Sequence, residues 1–237
     1  MSYIYKIHHL PTSDPTLLAF LAGKFAALRL TALSVSAAAF SSTFAIESTF
    51  TASQWISRLQ RPEVHTFIAV AYSPNTKSEQ QTIDAGDWIG SATLLGPSPK
   101  AVYDIPESGG PEIGGDDVES KWQMCAVYNN PEHRGKGIAK LLIKGAIEYA
   151  AREDGVGRQS RVRIMIHHNN IDVFQLVKKL YDGLGFVDAG HCTLSEAFLA
   201  NGDSGLLPAD GGASQPEKYD VRLGIIMVRV SSFDDLR

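Results

Sequence analysis

Apolar and polar positions alternate over residues 3–8, a two-residue period that predicts a first strand with one buried face. Asp14 then stands where a helix cap is wanted, and Pro15 at the first helical position. Leu17, Leu18, Leu21, Phe25 and Leu28 recur at helical spacing, so a helix is expected to about Leu33. Residues 37–50 have no clean period. Ser53 can cap a short helix carrying Trp55, Ile56 and Leu59 ahead of Pro62. Residues 66–72 and 88–95 are β-branched and aliphatic runs, read as two strands joined by a long turn.

The pattern breaks over residues 96–120, which hold four prolines, two Gly-Gly pairs and six acids opposed only by Lys100; an exposed acidic insert is expected. Residues 122–128 make a compact apolar strand. From Gly137 a helix places Ile138, Leu141, Leu142, Ala146, Tyr149 and Ala150 inside, with Lys140, Lys144, Glu148 and Arg152 outside, and Gly155 and Gly157 end it. Residues 162–166 form another strand. Asn170 can cap a helix with Val173, Val177, Leu180 and Leu184 on one side, stopped by Gly185 before a strand at Phe186 and Val187. After a weakly periodic insert over about residues 189–220, with one possible helical turn at 194–199, residues 221–230 close the chain with a strand. The order β, α, α, β, β, β, α, β, α, β, insert, β predicts one mixed α/β domain over residues 1–237.

Composition narrows the class. The chain is 44% hydrophobic and carries 22 basic against 26 acidic residues, a net charge of −4, with no basic run of the kind that tracks a phosphate backbone. Nucleic acid is not an expected partner. The first residues lack a signal-peptide pattern, and Ser, Thr, Lys or Arg interrupt the apolar stretches, so no membrane segment is expected and a cytoplasmic location is. Two cysteines, Cys125 and Cys192, are too few for a disulfide framework. Adjacent histidines, His8-His9 and His167-His168, point to opposite faces of a strand and chelate poorly, so no metal is expected.

The chemistry concentrates in Pro131-Glu132-His133-Arg134-Gly135-Lys136-Gly137-Ile138-Ala139, between a strand and a helix start. A helix N-terminus offers unpaired N–H groups and the positive end of a dipole. Gly135 and Gly137 let backbone N–H groups close around phosphate oxygens, and Arg134 and Lys136 add charge. A P-loop does not fit, because the two glycines are too close and Ala139 holds the hydroxyl position. A dinucleotide fingerprint does not fit either, since Lys140 occupies its third glycine. On spacing alone, a glycine-softened helix start with solvated charges stays open beside a pyrophosphate cradle.

Arg134-x-x-Gly137-x-Ala139 resembles the R/Q-x-x-G-x-G/A signature of the GNAT superfamily of N-acetyltransferases. Leu180-Tyr181-Asp182-Gly183-Leu184-Gly185-Phe186 is similar to the run that ends that family's last helix. Residues 29–33, 39–43 and 55–59 look like the acceptor-side region of one subset. The resemblance implies a single-domain, mixed, mostly antiparallel sheet flanked by helices. It also implies acetyl-CoA as acyl donor, with backbone contacts from Cys125, Ala126 and Val127 to the pantetheine arm and a diphosphate site at Arg134, Gly135, Lys136, Gly137, Ile138 and Ala139. Lys140 is expected nearby, and Val127 N–H to polarise the carbonyl.

Tyr181 resembles the tyrosine that protonates the departing thiolate, against a core-packing alternative; Asn170 resembles an asparagine on the pantetheine arm, though it stands about one turn further from Tyr181 than in many members. The general base is poorly marked. Lys121 holds the position of a familiar glutamate, leaving Glu119 on the same face, with Glu47, Glu63 and His65 as further options. The acceptor implied is an amine, on a small molecule or a peptide, and the protein a monomer or homodimer. An acyl-CoA-binding sensor without turnover and a transferase for longer acyl groups are the alternatives.

Overall fold

The computed structural model describes residues 3–155, 157–166 and 171–236. Among these, β1 (Ile4–His9), β2 (Val64–Tyr72), β3 (Asp87–Leu95), β4 (Glu119–Asn129), β5 (Gln159–Ile166), β6 (Val187–Cys192) and β7 (Gly224–Ser232) form one sheet, in the order β1-β2-β3-β4-β5-β7-β6. β4 and β5 run parallel, while β1–β2, β5–β7 and β6–β7 are antiparallel. The helices are α1 (Pro15–Val35), α2 (Phe44–Glu47), α3 (Ala52–Leu59), α4 (Lys100–Tyr103), α5 (Ile138–Asp154), α6 (Ile171–Asp182), α7 (Leu194–Ala200) and α8 (Pro216–Tyr219). This is the mixed, mostly antiparallel α/β class expected. The chain divides into two compact units, Met1–Leu94 with Ala126–Ala146, and Leu95–Cys125 with Ile147–Arg237.

In the first unit the Asp14 side chain caps α1 by accepting from the N–H groups of Thr16 and Leu17, at 2.9 and 3.2 Å. Leu18, Leu21, Phe25 and Leu28 pack with Trp55, Ile68, Val70 and Tyr128 in one core. Lys24 and Arg29 interrupt α1 less than expected: it has 21 residues, with a mean hydropathy of 1.5 over an 18-residue window, and is long and apolar enough to cross a membrane. Here 44% of that window is buried inside the protein. The α3 cap is Thr51 rather than Ser53, because Thr51 and Gln54 exchange bonds in a capping box while Ser53 only touches the Thr51 hydroxyl. Gly90 brings β3 close to the strand carrying the site, since a Cβ there would lie 2.6 Å from the Tyr128 carbonyl oxygen.

α5 starts in the first unit and ends in the second. It buries Ile138, Leu142, Ile143, Ala146, Ile147 and Ala150, whereas Leu141, expected inside, is 45% exposed. At helical spacing that residue falls outside the arc centred on Leu142 and Ala146.

In the second unit Trp122 packs edge-on to Tyr149, with ring centroids 6.3 Å apart. The 96–120 segment is mostly exposed as expected, but it is anchored: Tyr103 is buried, and Glu119 and Ser120 already belong to β4, also buried. Lys100 donates to the Ile113 carbonyl, and the buried Lys121 ammonium to Asp116, at 2.6 and 2.8 Å. The late insert contains α7 and α8, held by Phe198 against Tyr219.

Candidate active site

The segment after β4 is built turn by turn. Asn130 caps a short 3-10 turn, Pro131–His133, by accepting from Glu132 N–H at 3.1 Å. The turn ends at Arg134, and Gly135 and Gly137 both take left-handed backbone angles, φ of 75° and 78°, before α5 begins at Ile138. A Cβ at either glycine would meet nothing within 4 Å. Glycine is required here for backbone conformation, not to relieve a clash with the protein. The N–H groups of the first α5 turn have no intrahelical acceptor, and they share one helix end with the Arg134, Lys136 and Lys140 charges.

The cations differ in freedom. Arg134 is exposed, with Nε donating to the Asn129 carbonyl at 3.4 Å and a terminal nitrogen to Ser36 Oγ at 3.2 Å. Lys136 is pinned: its Nζ donates to the Tyr5 hydroxyl at 3.1 Å and lies 5.7 Å from both the Tyr3 and Tyr5 ring centroids. The Tyr5 hydroxyl also lies 3.1 Å from Nδ1 of His133, and burial followed by the Lys136 charge lowers that imidazole's pKa. Sequence reasoning missed Tyr5 and His133, because no local spacing announces a contact across 131 residues. The Ile138 side chain is buried, so only its backbone N–H can serve the cradle. Ala139 is half-buried and Lys140 exposed.

Upstream, the β4–β5 ladder runs from Glu119 opposite Gln159 to Met124 opposite Ile164. Immediately beyond it Ala126 has φ of 52°, one of two non-glycine residues with a positive φ among those described. Such a conformation costs about 1–2 kcal/mol in an L-residue. Burial drops at the same point: residues 119–124 are buried, while Cys125, Ala126 and Val127 are half-buried. The positive φ and the drop in burial coincide at the three positions expected to meet the pantetheine arm.

Tyr181, on α6, is buried and packs edge-on to Phe186 with centroids 5.2 Å apart. Burial, and then the Cys125 sulfur, push its phenol well above the ordinary value, so it is protonated at neutral pH. Cys125 is not in a disulfide. Asn170 lies outside the described residues.

The proposed bases are placed less favourably. Glu119 is buried, its Oε1 accepting from Arg161 Nε at 2.8 Å and from Gly114 N–H at 2.7 Å, and so ties β5 and the acidic segment together. Glu47 is buried between Arg29, at 2.6 Å, and Arg58, at 3.4 Å. Glu63 is exposed and His65 half-buried, its ring 5.6 Å from that of His9. Among the described residues no cluster of ligands suits a metal.

Residues 83–178 match the acetyltransferase (GNAT) family model, an interval containing the bent strand, the glycine turn and the α5 start. That segment is a GNAT acetyltransferase domain. Comparison with curated proteins finds no match. Among solved structures, an N-acetyltransferase from Staphylococcus aureus Mu50 aligns with TM-score 0.51 and 16% identity over 97% of this chain and 99% of that one. Arabidopsis thaliana NAA60, in complex with a bisubstrate analogue, aligns with TM-score 0.50 and 13% identity over 96% of this chain and all (100%) of that one. At these identities the likeness is one of fold. That shared fold covers nearly the whole chain, beyond the matched segment.

Proposed function

We propose that this protein, through its GNAT segment, transfers an acetyl group from acetyl-CoA to an amine by direct attack in a ternary complex. The observation that carries the reading is the turn from Arg134 to Ala139, where two left-handed glycines flank Lys136 at the start of α5. Backbone N–H groups there suit a diphosphate, and Arg134, exposed and held by two hydrogen bonds of 3.2 and 3.4 Å, can turn to join them. Lys136 contributes charge at a distance while its ammonium holds the turn to Tyr5. The half-buried backbone of Cys125, Ala126 and Val127 suits an extended amide-bearing arm, with Val127 N–H as donor to the thioester oxygen.

In the reaction a neutral amine attacks the thioester carbon, forming the C–N bond. Collapse of the tetrahedral adduct breaks the C–S bond, the thiolate takes a proton from the Tyr181 hydroxyl, and water returns a proton to the phenolate. A phenol protonated at neutral pH fits a general acid. The amine's own proton leaves to water, since Glu119 and Glu47 are both held in ion pairs.

Those same ion pairs favour a second reading, an acyl-CoA-binding protein without turnover. Incubation with acetyl-CoA and a panel of polyamines, amino sugars, amino acids and peptides with free N-termini separates the two. Amine-dependent release of free thiol supports transfer; tight acetyl-CoA binding with no release from any amine supports the sensor. Propionyl- and succinyl-CoA in the same assay report acyl-chain preference.

A further inference from the structure

A cavity of about 210 Å³ lies within the second unit, walled by the 100–113 segment on one side and by β5 and β7 on the other. That is well above the volume one water needs, and enough for a small organic acid. Its inner wall holds Arg163 and Arg161. Arg163 is only 4% exposed, yet among the described residues its hydrogen bonds go to neutral acceptors, Gln123 Oε1 at 2.7 Å and the Tyr103 carbonyl at 2.6 Å. Its guanidinium stacks 3.9 Å over the Tyr103 ring. Arg161 is matched by Glu119. The acids of the lining, Asp104 and Glu112, are exposed.

Asp104 and Glu196 favour the Arg163 charge from a distance, but among the described residues no ion pair to Arg163 is formed. A buried guanidinium without a carboxylate partner carries a desolvation cost that neutral acceptors offset only in part. A second sign of incompleteness is the Tyr103 hydroxyl, buried in the same wall with no hydrogen-bond partner. Burying a carboxylate against Arg163 supplies a countercharge within hydrogen-bonding reach.

We infer that this cavity is a binding site for a small carboxylate. The carboxylate arrives either as part of the amine acceptor or as a separate molecule. The first source rests on the acetyltransferase reading; the binding itself does not.

The test is calorimetric titration of the full chain with succinate, without acetyl-CoA, at constant ionic strength set by sodium chloride. Saturable binding is expected, weakened at least tenfold in Ser108→Asp, which adds a like charge to the wall, and in Arg163→Gln where circular dichroism shows that variant folded. Absence of binding to the wild type, or unchanged affinity in folded Ser108→Asp, overturns the proposal. The source is then read from acetylation of lysine against cadaverine, which lacks the carboxylate. If the acceptor brings it, succinate competes with lysine and Ser108→Asp raises KM for lysine alone; if a separate molecule does, succinate binds without changing either KM. Loss of all acetylation with succinate binding intact sinks the transferase reading only.

Discussion

Lys136 donates to the hydroxyl of Tyr5 at 3.1 Å, so the central cation of the glycine turn is tethered to the first strand of the sheet. The same hydroxyl meets His133, and the three side chains brace the turn from the side of β1. Tyr5→Phe keeps the ring beneath Lys136 but removes the shared hydroxyl. A hydrogen bond to a charged group contributes about 1.5–3 kcal/mol. Part of that is recovered from water at this exposed site, so KM for acetyl-CoA should rise about three- to tenfold with kcat little changed. An unchanged KM shows that Lys136 is held without Tyr5.

Gly135 and Gly137 have left-handed angles and open space around the missing Cβ. Alanine at either position should cost about 1–2 kcal/mol through backbone conformation alone. Acetyl-CoA affinity should fall up to about tenfold, most visibly by calorimetry, and the far-UV spectrum should stay native. Full affinity in both variants contradicts a preformed turn.

Burial pushes the Glu47 carboxyl up, but Arg29 and Arg58 outweigh it and hold it below its ordinary value of 4.5. A depressed carboxylate contributes stability that is present above the unfolded value and lost as pH falls through the folded one. Glu47→Gln should destabilise the protein at pH 7 by about 3–5 kcal/mol, since it removes the buried countercharge of Arg29 and one carboxylate contact of Arg58. Its melting temperature should also fall less steeply than that of the wild type below about pH 4.5. Parallel acid limbs show that the pair does not drive acid unfolding.

Much of this was legible in the chain. Asp14-Pro15 marked the start of α1, and the glycines between Arg134 and Ile138 marked a helix start able to hold an anion, because both signals are local. The left-handed turn at Ala126 was not legible, since nothing in Cys125-Ala126-Val127 distinguishes a bent strand from a straight one. The Arg29–Glu47–Arg58 network and the Tyr5–His133–Lys136 cluster join positions remote in sequence, which periodicity cannot pair. Glu119 stood on the expected face as a proton acceptor, but its role as the partner of Arg161 depends on strand register.

Tyr181→Phe removes the only atom of that side chain able to give a proton and leaves its packing against Phe186. kcat for amine acetylation should fall about 10²-fold, the lower range for general acid catalysis, with acetyl-CoA affinity held within about twofold. Because burial and Cys125 raise the phenol, no alkaline loss of rate from Tyr181 is expected below pH 10. Equal turnover in the variant assigns the proton to water.

The central claim is that the turn from Arg134 to Ala139 holds the diphosphate of acetyl-CoA. Calorimetric titration of acetyl-CoA into the wild type and into Arg134→Glu, which sets a carboxylate against that diphosphate, tests it most directly. Saturable one-site binding by the wild type and loss of at least a hundredfold in affinity in the variant, with its fold intact, is the predicted result. Affinity unchanged by Arg134→Glu contradicts it.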